Sequence, residues 1–290
     1  MAHFTGPCLT LAGPGSGKTH TLTCRIRHLI DRHQVPPEKI LVITFTRAAA
    51  MEMRQRFVSL MGEDLPVVFG TFHSVFFRML QEEYGLESDA LATGKMRLQL
   101  LREAASRCHV KSDRQDFFQV ISREFSYIKN TGIDPAEYHS REFPGIPMGR
   151  FFDAYEEQKE VYGLLDFDDM LTKTLSMFRE NPRILERWRG RFSFYLLDEV
   201  QDMNRLQFQI IRLLAHPHNN LFAVGDDDQS IYAFRGADPG LMLEFPKYYP
   251  DCRKILLEEN YRCSPQILSA ANNLIAHNGK RYAKKLHSAA

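Results

Sequence analysis

A glycine-rich run near the start of the chain has the residue types and spacing needed to hold a nucleoside triphosphate. Glycines lack a Cβ atom, so backbone N–H groups can curl around phosphate oxygens at the N-terminus of a following helix. The lysine of the run would reach the β- and γ-phosphates, and the threonine after it would ligate Mg²⁺. The run consists of Ala12, Gly13, Pro14, Gly15, Ser16, Gly17, Lys18 and Thr19.

The residues on either side of this run favour nucleotide binding over a plain flexible loop. Cys8, Leu9 and Leu11 suit a short buried strand, and residues 21–26 are typical of the start of a helix. Ala12 stands where the usual pattern has its first glycine, while the final Gly-Lys-Thr is intact. A Gly/Ser-rich loop that happens to precede a lysine is the alternative, and the strand–loop–helix context argues against it.

A second group of residues could turn binding into hydrolysis. The apolar run 194–197 ends in Asp198 and Glu199. A central strand delivers acids in this way to the carboxyl edge of a parallel sheet. Asp198 would hold the Mg²⁺ shell, and Glu199 would orient or deprotonate the attacking water. Acidic pairs after strands are common by chance, but together with the glycine-rich run this pair predicts an ATP-hydrolysing site.

Two regions of the chain have the alternating pattern of an α/β sheet, and a helical region separates them. We predict strands at 8–11, 41–43, 67–69, 195–197, 221–224 and 254–257, with helices at 48–60 and 205–214. Residues 77–189 are charged and helical in pattern, with a Pro/Gly-rich break at 143–147. Because Lys18 and Asp198 belong to one site yet lie far apart in sequence, we predict a parallel α/β sheet with an inserted helical subdomain.

Composition excludes some classes and leaves others open. The chain of 290 residues is 44% hydrophobic, which is normal for a packed core. No apolar stretch approaches the roughly 20 residues that span a bilayer, and no signal-peptide pattern is found, so we expect a cytoplasmic protein without a membrane partner. The five scattered cysteines favour reduced, mostly buried thiols. A net charge of +1 means that any nucleic-acid path must be local.

Seven ordered segments resemble the motifs of the UvrD/Rep/PcrA group of superfamily 1 DNA helicases. Two of them are the glycine-rich run and the acidic segment 198–202. The other five are 44–53, 70–73, 163–167, 224–237 and 260–262. Segment 224–237, which reads Val-Gly-Asp-Asp-Asp-Gln-Ser-Ile-Tyr-Ala-Phe-Arg-Gly-Ala, is nearly diagnostic. The resemblance implies a P-loop, RecA-like fold and ATP-dependent 3′-to-5′ movement along single-stranded DNA.

The resemblance also assigns roles around the nucleotide. Gln229 is similar to a glutamine that senses the γ-phosphate, Tyr261 to a tyrosine that stacks on adenine, and Arg262 to an arginine that reaches the γ-phosphate from a second motor domain. His20 stands where the family has arginine. The implied cofactors are ATP and Mg²⁺, with Thr19 and Asp198 as metal ligands.

A strip of residues is implied to contact single-stranded DNA. Aromatic rings there would stack on bases, and threonines would bond to phosphates. The implied residues are Thr44, Phe45, Thr46, Thr71, His73, Tyr232, Phe234 and Arg235. Tyr232 and Phe234 could share one face of an extended segment, and core packing is the alternative for both.

Three adjacent acids, Asp226 to Asp228, suggest a metal cluster. Adjacent residues at a strand end are not expected to face one ion together, so a tight turn that aims Gln229 at the nucleotide is the better interpretation. His73 has a structural alternative too, because a lone histidine near a strand end is often a hydrogen-bonded packing residue.

The resemblance divides the chain into three parts. Residues 1–77 with 191–258 would form the ATP-binding motor domain (1A), 78–190 the inserted helical subdomain (1B), and 259–290 the start of a second motor domain (2A). We expect these 290 residues alone to bind ATP but to hydrolyse it slowly, and repair or recombination proteins to be partners. The alternatives are a truncated nucleotide-dependent DNA-binding protein without translocase activity, and a small-molecule P-loop kinase, which segment 229–236 argues against.

Overall fold

The computed structural model describes residues 3–233 and 236–289. They divide into two compact units, one containing the residues up to Val75 and those from Phe178 onward, the other Phe76–Met177. The second unit therefore ends before the predicted limit of the insertion, because residues 178–190 group with the first unit. Among the described residues, every helix is too short or too polar to cross a bilayer.

The first unit is built on a six-stranded parallel sheet. Its strands are β1 (Cys8–Ala12), β2 (Ile40–Thr44), β3 (Val68–Thr71), β4 (Phe194–Leu197), β5 (Leu221–Gly225) and β6 (Arg253–Leu257). Their order across the sheet is β3-β2-β4-β5-β1-β6, and every pairing is parallel. All carboxyl ends therefore meet at one edge. The predicted α/β fold with a parallel sheet is confirmed.

A separate pair of short parallel strands lies in the same unit, β7 (Glu259–Asn260) and β8 (His287–Ser288). Eleven α-helices are found in the described residues. They are α1 (Lys18–His33), α2 (Arg47–Met61), α3 (Phe72–Tyr84), α4 (Gly94–Arg107), α5 (Phe117–Thr131), α6 (Met148–Val161), α7 (Phe167–Glu180), α8 (Pro182–Arg191), α9 (Arg205–Ala215), α10 (Pro239–Tyr248) and α11 (Pro265–Ile275).

The core of the first unit explains why its strands are continuous apolar runs. All five residues of β1 and of β2 are buried, as expected for strands covered on both faces. Helix α1 packs Leu22, Ile26 and Leu29 into the same cluster. Strand β6 lies at the edge of the sheet instead, and Arg253 and Lys254 on it are exposed.

The second unit has its own apolar core among α4, α5 and α6. Leu101, Ile121, Phe125 and Phe151 are buried in it, as the predicted helical pattern of this region requires. Leu98 is only half-buried. The helix instead turns Leu100, Leu101, Ala104 and Ala105 inward.

A charged network is also buried in the second unit. Lys129 Nζ lies 2.9 Å from Asp166 Oδ2 and 2.7 Å from Asp169 Oδ1. Lys159 Nζ lies 3.1 Å from Asp166 Oδ2 and 2.5 Å from Asp169 Oδ2, and both lysines also contact Glu156. Burial alone would raise the pKa of Asp166, but the two lysines hold it far below its ordinary value. Each buried charge thus has an opposite partner.

The five cysteines are free thiols. Cys8 is buried, whereas the other four are partly exposed, so the expectation of mostly buried thiols is wrong.

Candidate functional site

The glycine-rich run forms a tight loop between β1 and α1. Gly15 and Gly17 have φ values of 69° and 86°, in the left-handed region that glycine adopts without a steric penalty. Ser16 Oγ donates a hydrogen bond of 2.7 Å to the carbonyl of Gly13, which closes the turn. The loop ends at the N-terminus of a 16-residue helix, where free N–H groups and the helix dipole favour an anion.

Lys18 and Glu199 meet at this loop. Lys18 Nζ donates to Glu199 Oε2 at 2.7 Å, and the lysine side chain is only 13% exposed. Glu199 comes two residues after β4 ends and has a left-handed backbone, with φ of 50°. The Gln201 amide donates to the same carboxylate oxygen at 2.8 Å. Gln201 lies within the acidic segment, but local sequence predicts no role for it.

Two buried acids beside this pair each keep one carboxylate oxygen without a partner in the described part of the chain. Among the described residues, Asp198 Oδ1 and Asp202 Oδ1 are buried without a hydrogen-bond partner. Burial, reinforced by the charge of Glu199, raises the pKa of Asp198 to about 7, and Lys18 only partly opposes the shift. The same causes raise the pKa of Asp202 to about 6.

These acids fit a divalent metal ion. Buried carboxylates that lack partners would gain a counter-charge from a cation, and Mg²⁺ prefers oxygen ligands of this kind. Two residues of this chain would hold the ion. They are Asp198, through its carboxylate, and Thr19, through its hydroxyl in the first turn of α1.

Gln229 lies in a 3₁₀ turn, Asp227–Gln229, that follows β5. Its amide donates to Asp226 Oδ2 at 2.6 Å. The N–H of Asp226 donates in turn to Gln201 Oε1 at 3.0 Å. Hydrogen bonds therefore connect Gln229 to Gln201 and, through it, to Glu199.

The three acids Asp226 to Asp228 correct one expectation. Adjacent residues were not expected to face one ion, yet all three carboxylates contact the ammonium of Lys284. The 3₁₀ turn is the physical reason, because it replaces the alternation of an extended strand and brings the three side chains to one side.

Residues 260–262 pack directly on the phosphate loop. Asn260 is buried, and its amide donates to the carbonyl of Pro14 at 2.5 Å. The N–H of Tyr261 donates to the carbonyl of Gly15 at 3.0 Å. A Cβ atom on Gly15 would lie 2.7 Å from Cβ of Arg262, so only glycine allows this approach. Asn260 is a second residue whose role local sequence does not predict.

Tyr261 and Arg262 themselves are exposed at this position, Tyr261 by 69%. The Tyr261 hydroxyl donates to Glu259 at 2.6 Å. His20, which follows the phosphate loop, is also exposed.

Two of the predicted DNA-contacting aromatics lie together. The rings of Phe45 and Tyr232 are stacked, with centroids 5.3 Å apart and an angle of 27° between their planes. Phe45 follows β2 and Tyr232 follows β5, so the pair is at the carboxyl edge of the sheet. Both residues are partly exposed. Phe234 and Arg235 lie outside the described residues.

The predicted threonines have structural partners. Thr44 is fully buried and donates to the carbonyl of Thr46 at 2.9 Å. Thr46 is exposed, and its hydroxyl caps α2 by accepting from the N–H of Ala49 at 3.1 Å. Thr71 is buried and bonded to Ser74, and the DNA-contacting roles of all three threonines stay predictions.

Residues 1–250 match the family described as the UvrD/REP helicase N-terminal domain. The chain belongs to this family. It is 38% identical to YjcD of Bacillus subtilis (strain 168) over 291 residues, and 37% identical over 292 residues to the ATP-dependent DNA helicase PcrA of Staphylococcus epidermidis. It is 36% identical to PcrA of Staphylococcus aureus over 296 residues.

Each of these alignments covers 98% of the chain but only 38–40% of the relative. The chain thus spans about two fifths of the length of these UvrD/REP relatives.

Proposed function

We propose that this chain is the ATP-binding, N-terminal portion of a DNA helicase that moves 3′ to 5′ along single-stranded DNA. One observation carries the proposal: Lys18, Glu199 and the under-satisfied Asp198 lie together beside a left-handed glycine loop. The PcrA relatives named above are ATP-dependent DNA helicases, which supports the same activity here. The direction of movement is inferred from the motif resemblance.

The residues of the phosphate loop would bind the triphosphate. Backbone N–H groups before α1 and the Lys18 ammonium would hold phosphate oxygens, so Lys18 would exchange its carboxylate partner for the nucleotide. That exchange releases Glu199, which then orients the water and accepts its proton. Asp198 and Thr19 would hold Mg²⁺, which neutralises charge on the phosphates when bound.

A glutamine and two residues of the 260–262 segment would respond to the nucleotide. Gln229 is tethered to Asp226 in the structure, and its remaining hydrogen-bonding capacity would contact the γ-phosphate. Tyr261 and Arg262, which are exposed beside the phosphate loop, would contact the adenine and the γ-phosphate. Single-stranded DNA is the proposed partner, with Phe45 and Tyr232 stacking on its bases.

Nucleotide binding is tested by calorimetric titration of Mg·ATP into three proteins. Lys18→Ala should lose most of the affinity, because it removes the phosphate-binding cation. Glu199→Gln should retain binding and lose hydrolysis. Lys247→Ala is the matched control, since Lys247 is an exposed lysine of the same unit. If wild type and Lys18→Ala are both folded and bind Mg·ATP equally well, Lys18 is not the phosphate-binding lysine.

DNA binding is tested by fluorescence anisotropy with a labelled oligonucleotide. Tyr232→Ala should weaken binding by about 1–3 kcal/mol, with little dependence on base sequence, since any base offers a face for stacking. Tyr162→Ala replaces an exposed tyrosine of the second unit as the control. Unchanged affinity in a folded Tyr232→Ala would make the Phe45–Tyr232 pair a packing feature.

A further inference from the structure

An internal ammonium group lies where the acid triplet could otherwise hold a metal ion. Lys284 Nζ is 2.9 Å from Asp226 Oδ1 and 2.8 Å from Asp228 Oδ2, and it also bonds to Asp227. The side chains of Lys284 and Asp226 are 3% and 0% exposed. One cation thus neutralises a buried cluster of carboxylates.

Neighbours of Lys284 bind the same triplet. Arg281 donates two hydrogen bonds of 2.7 Å to the two carboxylate oxygens of Asp228. The N–H of Tyr282 donates to Asp227 at 2.7 Å. Burial alone would lower the pKa of Lys284, but its bonds to the three carboxylates raise it, so the lysine is held in its charged form.

Asp226 connects this cluster to the nucleotide site. One of its carboxylate oxygens contacts Lys284, and the other accepts the Gln229 amide at 2.6 Å. Its N–H is bonded to Gln201, whose amide is bonded to Glu199. A change in the orientation of the Asp226 carboxylate therefore changes the position of Gln229.

We propose that Lys284 is a positioning residue for the nucleotide site, holding the Asp226 carboxylate so that the Gln229 amide has one orientation. This inference rests on the proposed function, because it assigns Lys284 an effect on the response of Gln229 to the γ-phosphate. Without the ammonium, three carboxylates would repel one another and compete for the amide, and Gln229 would sample several orientations.

The test compares Lys284→Ala, Lys284→Arg and Lys285→Ala in the 290-residue protein. Lys285 is the matched control: it is the adjacent lysine, it is exposed, and the bond from its backbone N–H to Glu258 survives the change. Single-turnover hydrolysis is measured with protein in excess over Mg·ATP, and affinity by calorimetry. Lys284→Ala should hydrolyse at least about tenfold more slowly, a barrier increase of about 1.4 kcal/mol. Its affinity should stay within about twofold of wild type.

Lys284→Arg should recover most of the rate, because a guanidinium restores the charge, and Lys285→Ala should match wild type. The double variant Lys284→Ala/Gln229→Ala should be no slower than Gln229→Ala alone, since both changes act through one amide. Wild-type hydrolysis by Lys284→Ala, or additive effects in the double variant, would overturn the proposal. So would equal losses of rate and affinity that arginine does not rescue.

A second readout separates this inference from the proposed function. The side-chain amide resonance of Gln229 in an NMR spectrum of the nucleotide-free protein should shift in Lys284→Ala and stay in place in Lys285→Ala. A wild-type protein that does not bind Mg·ATP would contradict the proposed function, while the resonance would still decide whether Lys284 positions Gln229. An unshifted resonance in Lys284→Ala would refute the positioning role.

Discussion

The two units of the molecule each bury a cluster of carboxylates, but they differ in whether cations of the protein neutralise it. In the second unit, Asp166 and Asp169 share Lys129 and Lys159, so both carboxylates of this cluster are paired with cations. In the first unit, Asp198 and Asp202 keep buried oxygens that have no partner among the described residues. The pKa of Asp166 is lowered and that of Asp198 is raised, although burial acts in the same direction on both.

The difference separates a structural use of buried charge from a binding use. A paired cluster is complete within the fold and loses stability when one member is removed. A cluster with too few cations has an unfavourable electrostatic energy until a ligand supplies positive charge. Binding of that ligand relieves the repulsion, so the relief adds to the binding free energy. The acid triplet Asp226 to Asp228 is a paired cluster, since Lys284 and Arg281 supply the cations that its carboxylates need.

The largest expected effect comes from breaking the paired cluster. Lys159→Met keeps the apolar stem but leaves Asp166 and Asp169 with Lys129 alone, and we expect the free energy of unfolding to fall by about 3–5 kcal/mol. Urea denaturation measures the change. Lys173→Met, at an exposed position of the same unit, should change stability little. A loss for Lys159→Met no greater than that of this control would show that the network is not needed for stability.

A smaller effect of opposite sign is expected at the nucleotide site. The pKa of Asp198 is raised from 3.8 to about 7 in the folded protein, so the nucleotide-free protein loses stability as the pH rises through this window. Asp198→Asn removes that loss. It should be more stable than wild type by roughly 2–4 kcal/mol at pH 8, and by less at pH 5.

Urea denaturation of both proteins at the two pH values checks this prediction, and the same variant should bind Mg·ATP poorly. A variant that is less stable than wild type at both pH values would mean that Asp198 is compensated within the fold.

The smallest effect is expected for Asp202→Asn. The pKa of Asp202 rises only to about 6, a smaller shift than that of Asp198, so the gain at pH 8 should be the smaller of the two, about 1–3 kcal/mol. The same denaturation series measures it. A gain larger than that of Asp198→Asn would reverse the ranking of the two acids and make Asp202 the more strained member of the cluster.

The sheet and the phosphate loop could be predicted from local sequence. Six predicted runs became six strands, and the four central ones are continuous apolar runs because a parallel sheet buries them on both faces. The helical pattern of the second unit was predicted from local sequence as well. Local sequence pattern did not predict which side chains contact each other when they lie far apart in the chain.

The positions of Gln201, Asn260 and Lys284 illustrate this limit. Lys284 is 57 positions from Asp227, and Asn260 is 246 positions from Pro14, so no local spacing predicts either contact. The acid triplet was misinterpreted for a related reason, because Lys284, the cation that its three carboxylates share, is equally distant in sequence. The DNA-contacting roles of Phe45, Tyr232, Phe234 and Arg235 stay predictions.

The edge strand β6 has a consequence for how the protein behaves at high concentration. An edge strand offers unpaired backbone groups to any other strand, and long apolar edges therefore promote aggregation. Here Arg253 and Lys254 are exposed on β6, while its neighbour β1 is wholly buried. Two adjacent positive charges would repel the same charges on a second copy, so β6 opposes open-ended sheet growth between molecules and favours a dissolved, dispersed protein.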